Sequence, residues 1–188
     1  MKKILLFILP YFFIISCTNE KDPEKDPFLI TANSIGQVSD TTMIKDLVEI
    51  FKNDSIRDEI SGDSFTGKAD EITIFDKSGN ELLEITPKED LEPTSKIEAI
   101  RIIDPKYRTS KGINSGSTFK EINDNYEISS IINSLKNLIV TINSANLYFT
   151  IDKNELPPEL RFDRNLKIDK AQIPENAKIN NLYLEWRD

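Results

Sequence analysis

Residues 137–153 read NLIVTINSANLYFTIDK, two runs in which apolar residues recur at every second position around a short polar break. Side chains two apart share a face only in an extended strand, so Leu138, Val140 and Ile142 point one way, as do Leu147, Phe149 and Ile151. A helix would scatter both sets around its axis. Ser144-Ala145-Asn146 supplies the turn, and the stretch is expected to be a β-hairpin with one buried face.

The same period recurs along the chain. EITIFDK and ELLEIT form a second expected hairpin through Ser78-Gly79-Asn80, where glycine and asparagine tolerate positive φ. KIEAIRIID reads as a strand ended by Asp104-Pro105, and INNLYLEW sets Leu182, Leu184 and Trp186 on one face of a last core strand. FLITANSIGQV reads as a strand kinked near Gly36. Helical spacing occurs in two places. In DTTMIKDLVEIF, Met43, Ile44, Leu47, Val48 and Phe51 form a stripe, with Asp40 or Thr41 as N-cap. In STFKEINDNY, Thr118 and Glu121 match a capping box, and Phe119, Ile122 and Tyr126 share a face. Hairpin-linked strands with two short helices predict one α+β domain over residues 28–188, built on a mostly antiparallel sheet.

Composition excludes several kinds of chemistry. The 188 residues contain no histidine, so nucleophile–imidazole systems and histidine-ligated zinc or iron sites cannot form. A net charge of −8 opposes the phosphate contacts that nucleic acids require. Cys17 is the only cysteine, so no intrachain disulfide can form. No cofactor is implied.

The N-terminus, MKKILLFILPYFFIISC, has a basic start at Lys2 and Lys3 followed by an apolar run to Ile15. That run is shorter than the roughly 20 residues that cross a bilayer, and suits a secretory signal. Ile14-Ile15-Ser16-Cys17 resembles the lipobox of bacterial lipoproteins. The resemblance implies a signal peptide over 1–16, cleavage before Cys17, and a diacylglyceryl group on its thiol. Loss of Lys2 and Lys3 would leave 22 basic residues against 32 acidic ones, a charge of −10. Thr18 in the following position implies, by the same resemblance, the outer membrane. Residues 17–27 form an acidic tether broken by Pro23 and Pro27, and its EKDPEKD stretch resembles the surface-export tethers of Bacteroidetes-type lipoproteins.

Three motifs invite catalytic or ligand readings. GDSFTGK at 62–68 approaches the phosphate-binding loop, yet Ala69 stands where a magnesium-binding hydroxyl is needed, and a strand-like stretch follows instead of a helix. No nucleotide is expected. Ser117-Thr118-Phe119-Lys120 gives the S-x-x-K of serine–lysine enzymes, but Ser117 and Thr118 read better as helix caps. Asp63, Asp70 and Glu71 lack the alternation of a calcium loop and read as solvated charges.

The stretch DPKYRTSKGINSGSTFKEINDNY remains. Its T-x-x-G-I-x-x-G-S-T resembles a segment of uncharacterised envelope lipoprotein domains, a family that implies no activity. By position, Tyr107, Arg108, Lys111, Ser117 and Thr118 gather near a helix N-terminus, where free N–H groups attract anions. The alternative is a structural connection whose glycines permit the turns.

These features together predict a lipid-anchored envelope protein whose domain is a non-catalytic binding or accessory module, with the membrane and a basic protein as partners. An immunity-type lipoprotein that neutralises a basic toxin, and a small carboxylate-based hydrolase, are the alternatives.

Overall fold

The computed structural model describes residues 26–59, 71–89 and 91–186. Cys17, the lipobox, GDSFTGK, Asp63 and Asp70 lie outside the described residues.

The 137–153 hairpin forms as its alternation requires. Strands β10 (Asn137–Ile142) and β11 (Leu147–Asp152) pair antiparallel from Asn137↔Asp152 to Ile142↔Leu147. A 3₁₀ turn joins them, closed by Asn146 in the left-handed region at φ 53°. Strands β5 (Glu71–Phe75) and β6 (Glu81–Pro87) form the second hairpin, with Gly79 at φ 84°. Asp76 receives the Ser78 and Asn80 N–H groups and closes this turn.

These hairpins belong to one eight-stranded antiparallel sheet. It also contains β4 (Ser55–Glu59), β7 (Ile97–Ile102), β9 (Ser130–Asn133) and β12 (Asn181–Glu185), in the order β4-β5-β6-β7-β12-β11-β10-β9. The last strand of the sequence is therefore central, and it joins the two hairpin-containing halves. One sheet face is the core: Ile74, Leu83, Ile85, Ile100, Leu138, Val140, Phe149, Leu182 and Leu184 have essentially no exposure.

A small sheet holds the N-terminal residues, in the order β3-β2-β1-β8. Its strands are β1 (Leu29–Thr31), β2 (Ser34–Ile35), β3 (Val38–Ser39) and β8 (Arg108–Thr109), with β1 parallel to β8. The expected single kinked strand is thus three short ones, because Gly36 turns the chain back at φ 55°. A Cβ at Gly36 would stand 2.3 Å from the Pro27 carbonyl oxygen, so only glycine fits. The two sheets meet at the Ala32 carbonyl, which accepts from Asn146 Nδ2 (3.1 Å) and Trp186 Nε1 (2.9 Å).

Both expected helices form, one of them shortened. Helix α2 (Phe119–Asn125) has the predicted capping box between Thr118 and Glu121, and buries Phe119 and Ile122. At the first site, a 3₁₀ turn (Ile44–Asp46) leads into one turn of helix, α1 (Leu47–Ile50). Neither Asp40 nor Thr41 caps it. The Ile44 and Lys45 N–H groups bond instead to Ser95 and Pro93 carbonyls, so the chain enters the helix late, with the Asp46 carboxylate on the Met43 N–H. Val48 is 69% exposed and outside the buried stripe of Leu47 and Phe51. Strand β4 occupies what reads in sequence as a polar loop, and β8 and β9 likewise carry no strand signal in the sequence. The α+β class, with a mostly antiparallel sheet and two short helices, is the observed one.

Candidate functional site

The 105–118 loop uses its polar groups internally. Tyr107 is 4% exposed, packs edge-on against Phe28 at 5.3 Å, and has its phenol pushed up to about 12 by burial. Arg108 pairs with Asp26 at 3.1 Å. Lys111 bonds the Asn125 carbonyl and lies 4.2 Å from the centre of the Tyr126 ring, towards the C-terminal end of α2. Ser117 is buried, with its hydroxyl accepting the Asn114 N–H.

The helix N-terminus is also filled. The N–H groups of Thr118, Phe119, Lys120 and Glu121 go to the Glu121 carboxylate, the Ala177 and Glu175 carbonyls, and Thr118 Oγ1. The donors that would attract an anion are occupied by the chain itself. The five residues thus neighbour one another, but each serves as a strut of the fold.

The S-x-x-K pair is likewise structural in geometry. Lys120 bonds Glu175 at 3.1 Å and lies 3.8 Å from Asp124, and these carboxylates raise its pKa. A lysine acting as a general base needs the opposite shift. Among the described residues, no group of three or more potential ligands could hold a metal ion. Five surface clefts there carry at most one carboxylate each, so none of them supplies facing acids.

The polar half of each strand's alternation builds a different surface. On the face opposite the core, one row crosses all eight strands through paired residues: Arg57, Thr73, Glu84, Arg101, Tyr183, Tyr148, Thr141 and Ser130. Apart from Thr73, every member is at least partly exposed. At its centre the Tyr148 and Tyr183 rings stack at 4.5 Å with 7° between planes. Beside them Arg101 grips Glu84 in a two-pronged pair, with Nε to Oε1 at 2.8 Å and Nη2 on Oε2. Partial burial pushes the Tyr183 phenol up, and the Arg101 guanidinium pulls the other way. Glu185 lies next to Tyr183 on the same face of β12, opposite Ala99, whose small side chain leaves the larger groups standing proud.

Aromatic rings flanked by a guanidinium and carboxylates form an amphipathic surface on this face of the sheet. It offers stacking edges, hydroxyl donors and fixed charge, which are the means of recognition.

No family model matches the chain, and no curated protein matches it in sequence. Among solved structures, it is similar to the uncharacterized protein yfeY from Escherichia coli, with a TM-score of 0.55 and 13% identity. The likeness covers 84% of this chain and 99% of that one. This is a likeness of fold alone.

Proposed function

We propose that the chain is a lipid-anchored cell-envelope protein, attached through Cys17, whose domain is a non-catalytic binding module acting through the open face of the sheet. The observation that supports the binding role is the row centred on Tyr148, Tyr183, Arg101 and Glu84, which crosses eight strands and, apart from Thr73, is partly or fully exposed. Tyrosine and arginine are enriched at interfaces and among binding hot spots.

Charge indicates the kind of partner. The mature chain would carry −10 overall, while on the open face Arg57 and Arg101 balance Glu84 and Glu185. A protein with a basic surface would be steered to the chain, with a gain mainly in association rate. The tether would hand over to the domain near Asp26, which Arg108 pins to the small sheet.

The test is capture from envelope extracts with the 26–188 domain, followed by kinetics on the protein captured. Tyr183→Ala and Arg101→Ala are each expected to weaken binding tenfold or more, roughly what loss of a hot-spot residue costs. Rising salt should slow association and leave dissociation nearly unchanged. Arg108→Ala with Lys111→Ala, on the internally used loop, should not weaken the complex. A captured protein that binds the open-face variants as well as the parent would refute this reading.

A further inference from the structure

The two edges of the eight-stranded sheet are chemically unlike. At one edge β4 reads Ser-Ile-Arg-Asp-Glu, whose charges are the usual protection against further pairing. At the other, β9 reads Ser-Ile-Ile-Asn, with neither charge nor proline. Ile132 on this strand is 54% exposed. Leu135, just after the strand, is 65% exposed, and Phe162 is 86% exposed. Leu135 and Phe162 line one cleft at the strand end, where Asn133 Nδ2 holds the Phe162 loop by bonds to the Asp163 and Leu166 carbonyls, each at 2.9 Å. An uncharged edge flanked by apolar side chains is a template for another strand.

We propose that β9 pairs antiparallel with β9 of a second copy of this chain, joining two eight-stranded sheets into one. Two observations select a second copy as the occupant. Pairing about a two-fold axis sets the residue at the axis against itself, which is unfavourable for a charged residue and favourable for an apolar one. Centred on Arg57 or Asp58, β4 would oppose like charges, whereas β9 centred on Ile132 sets isoleucine against isoleucine. The flanks agree independently. Glu127 precedes the strand and Lys136 follows it, and both are exposed. Antiparallel pairing brings the start of one strand beside the end of the other, so Glu127 of each copy lies near Lys136 of its mate. A parallel arrangement would bring like charges together.

The axis stands perpendicular to the sheet, so both open faces point the same way. The dimer therefore presents two copies of the tyrosine row side by side, and a partner with repeated sites would be held with added avidity. The pairing does not depend on lipid attachment.

Sedimentation equilibrium of the 26–188 domain, from micromolar to sub-millimolar concentration, tests the pairing. A reversible monomer–dimer equilibrium is expected. Ile132→Lys should leave only monomer, with circular dichroism and Trp186 emission unchanged, since the site is at the surface. Glu127→Lys alone should raise the dissociation constant about tenfold, because two flank contacts turn from attractive to repulsive. Adding Lys136→Glu should restore it. A domain that stays monomeric throughout would overturn the proposal. So would a dimer that survives Ile132→Lys, or a double charge reversal no stronger than Glu127→Lys alone.

Discussion

Tyr148 on β11 and Tyr183 on β12 sit directly opposite each other, and their rings stack at 4.5 Å, nearly parallel. The pair lies over the seam where the last strand of the chain is inserted between the two halves of the sheet. Replacing both by alanine should therefore cost less than the two single changes added together. The coupling expected from a urea double-mutant cycle is about 0.5–1.5 kcal/mol, the usual range for aromatic pairs. Strict additivity would mean that the rings merely coincide.

Gly36→Ala should destabilise the domain by roughly 2–3 kcal/mol, through positive-φ strain and the clash with Pro27. Urea unfolding followed through Trp186 reads this cost. Gly79→Ala is the useful comparison, because a Cβ there meets nothing within 4 Å. It carries the strain without the clash, and should be the milder change.

Alkaline stability should depend on Tyr107. Its folded pKa of about 12 exceeds the unfolded value of 10, so between these limits the folded state binds more protons. The contribution is complete below pH 10 and disappears as pH rises towards 12, a loss of roughly 2–3 kcal/mol. The raised Tyr183 phenol acts in the same direction. Urea midpoints for the parent and Tyr107→Phe should therefore converge or cross as pH climbs through this window. Parallel curves would show that the buried phenol is not responsible.

How much of this could be read in the sequence follows from what alternation encodes. The period of two in 137–153 and 71–87 fixes which side chains share a face, and the hairpins and their buried sets form as expected. It says nothing about strand order. That Tyr183 would meet Tyr148 on one side and Arg101 on the other depends on the placement of β12, a long-range pairing with no local mark. The open face is therefore present in the sequence as the discarded polar half of each strand. The 105–118 loop shows the converse. Its residues leave an anion site and a structural connection both open, because the sequence cannot reveal that the 175–177 segment supplies the carbonyls that take up the helix N–H groups. Strands β4 and β9 leave little mark in the sequence for a simpler reason: edge strands bury little, and so carry little periodicity.

The proposed attachment to the envelope through Cys17 has the most direct test. Cells expressing the full chain and Cys17→Ser are labelled with radioactive palmitate, and precursor and mature forms are separated by gel. The parent should incorporate label and run as the processed form. The variant should take up none and accumulate as precursor, because only the thiol accepts the diacylglyceryl group. Label and processing unchanged in Cys17→Ser would contradict the account.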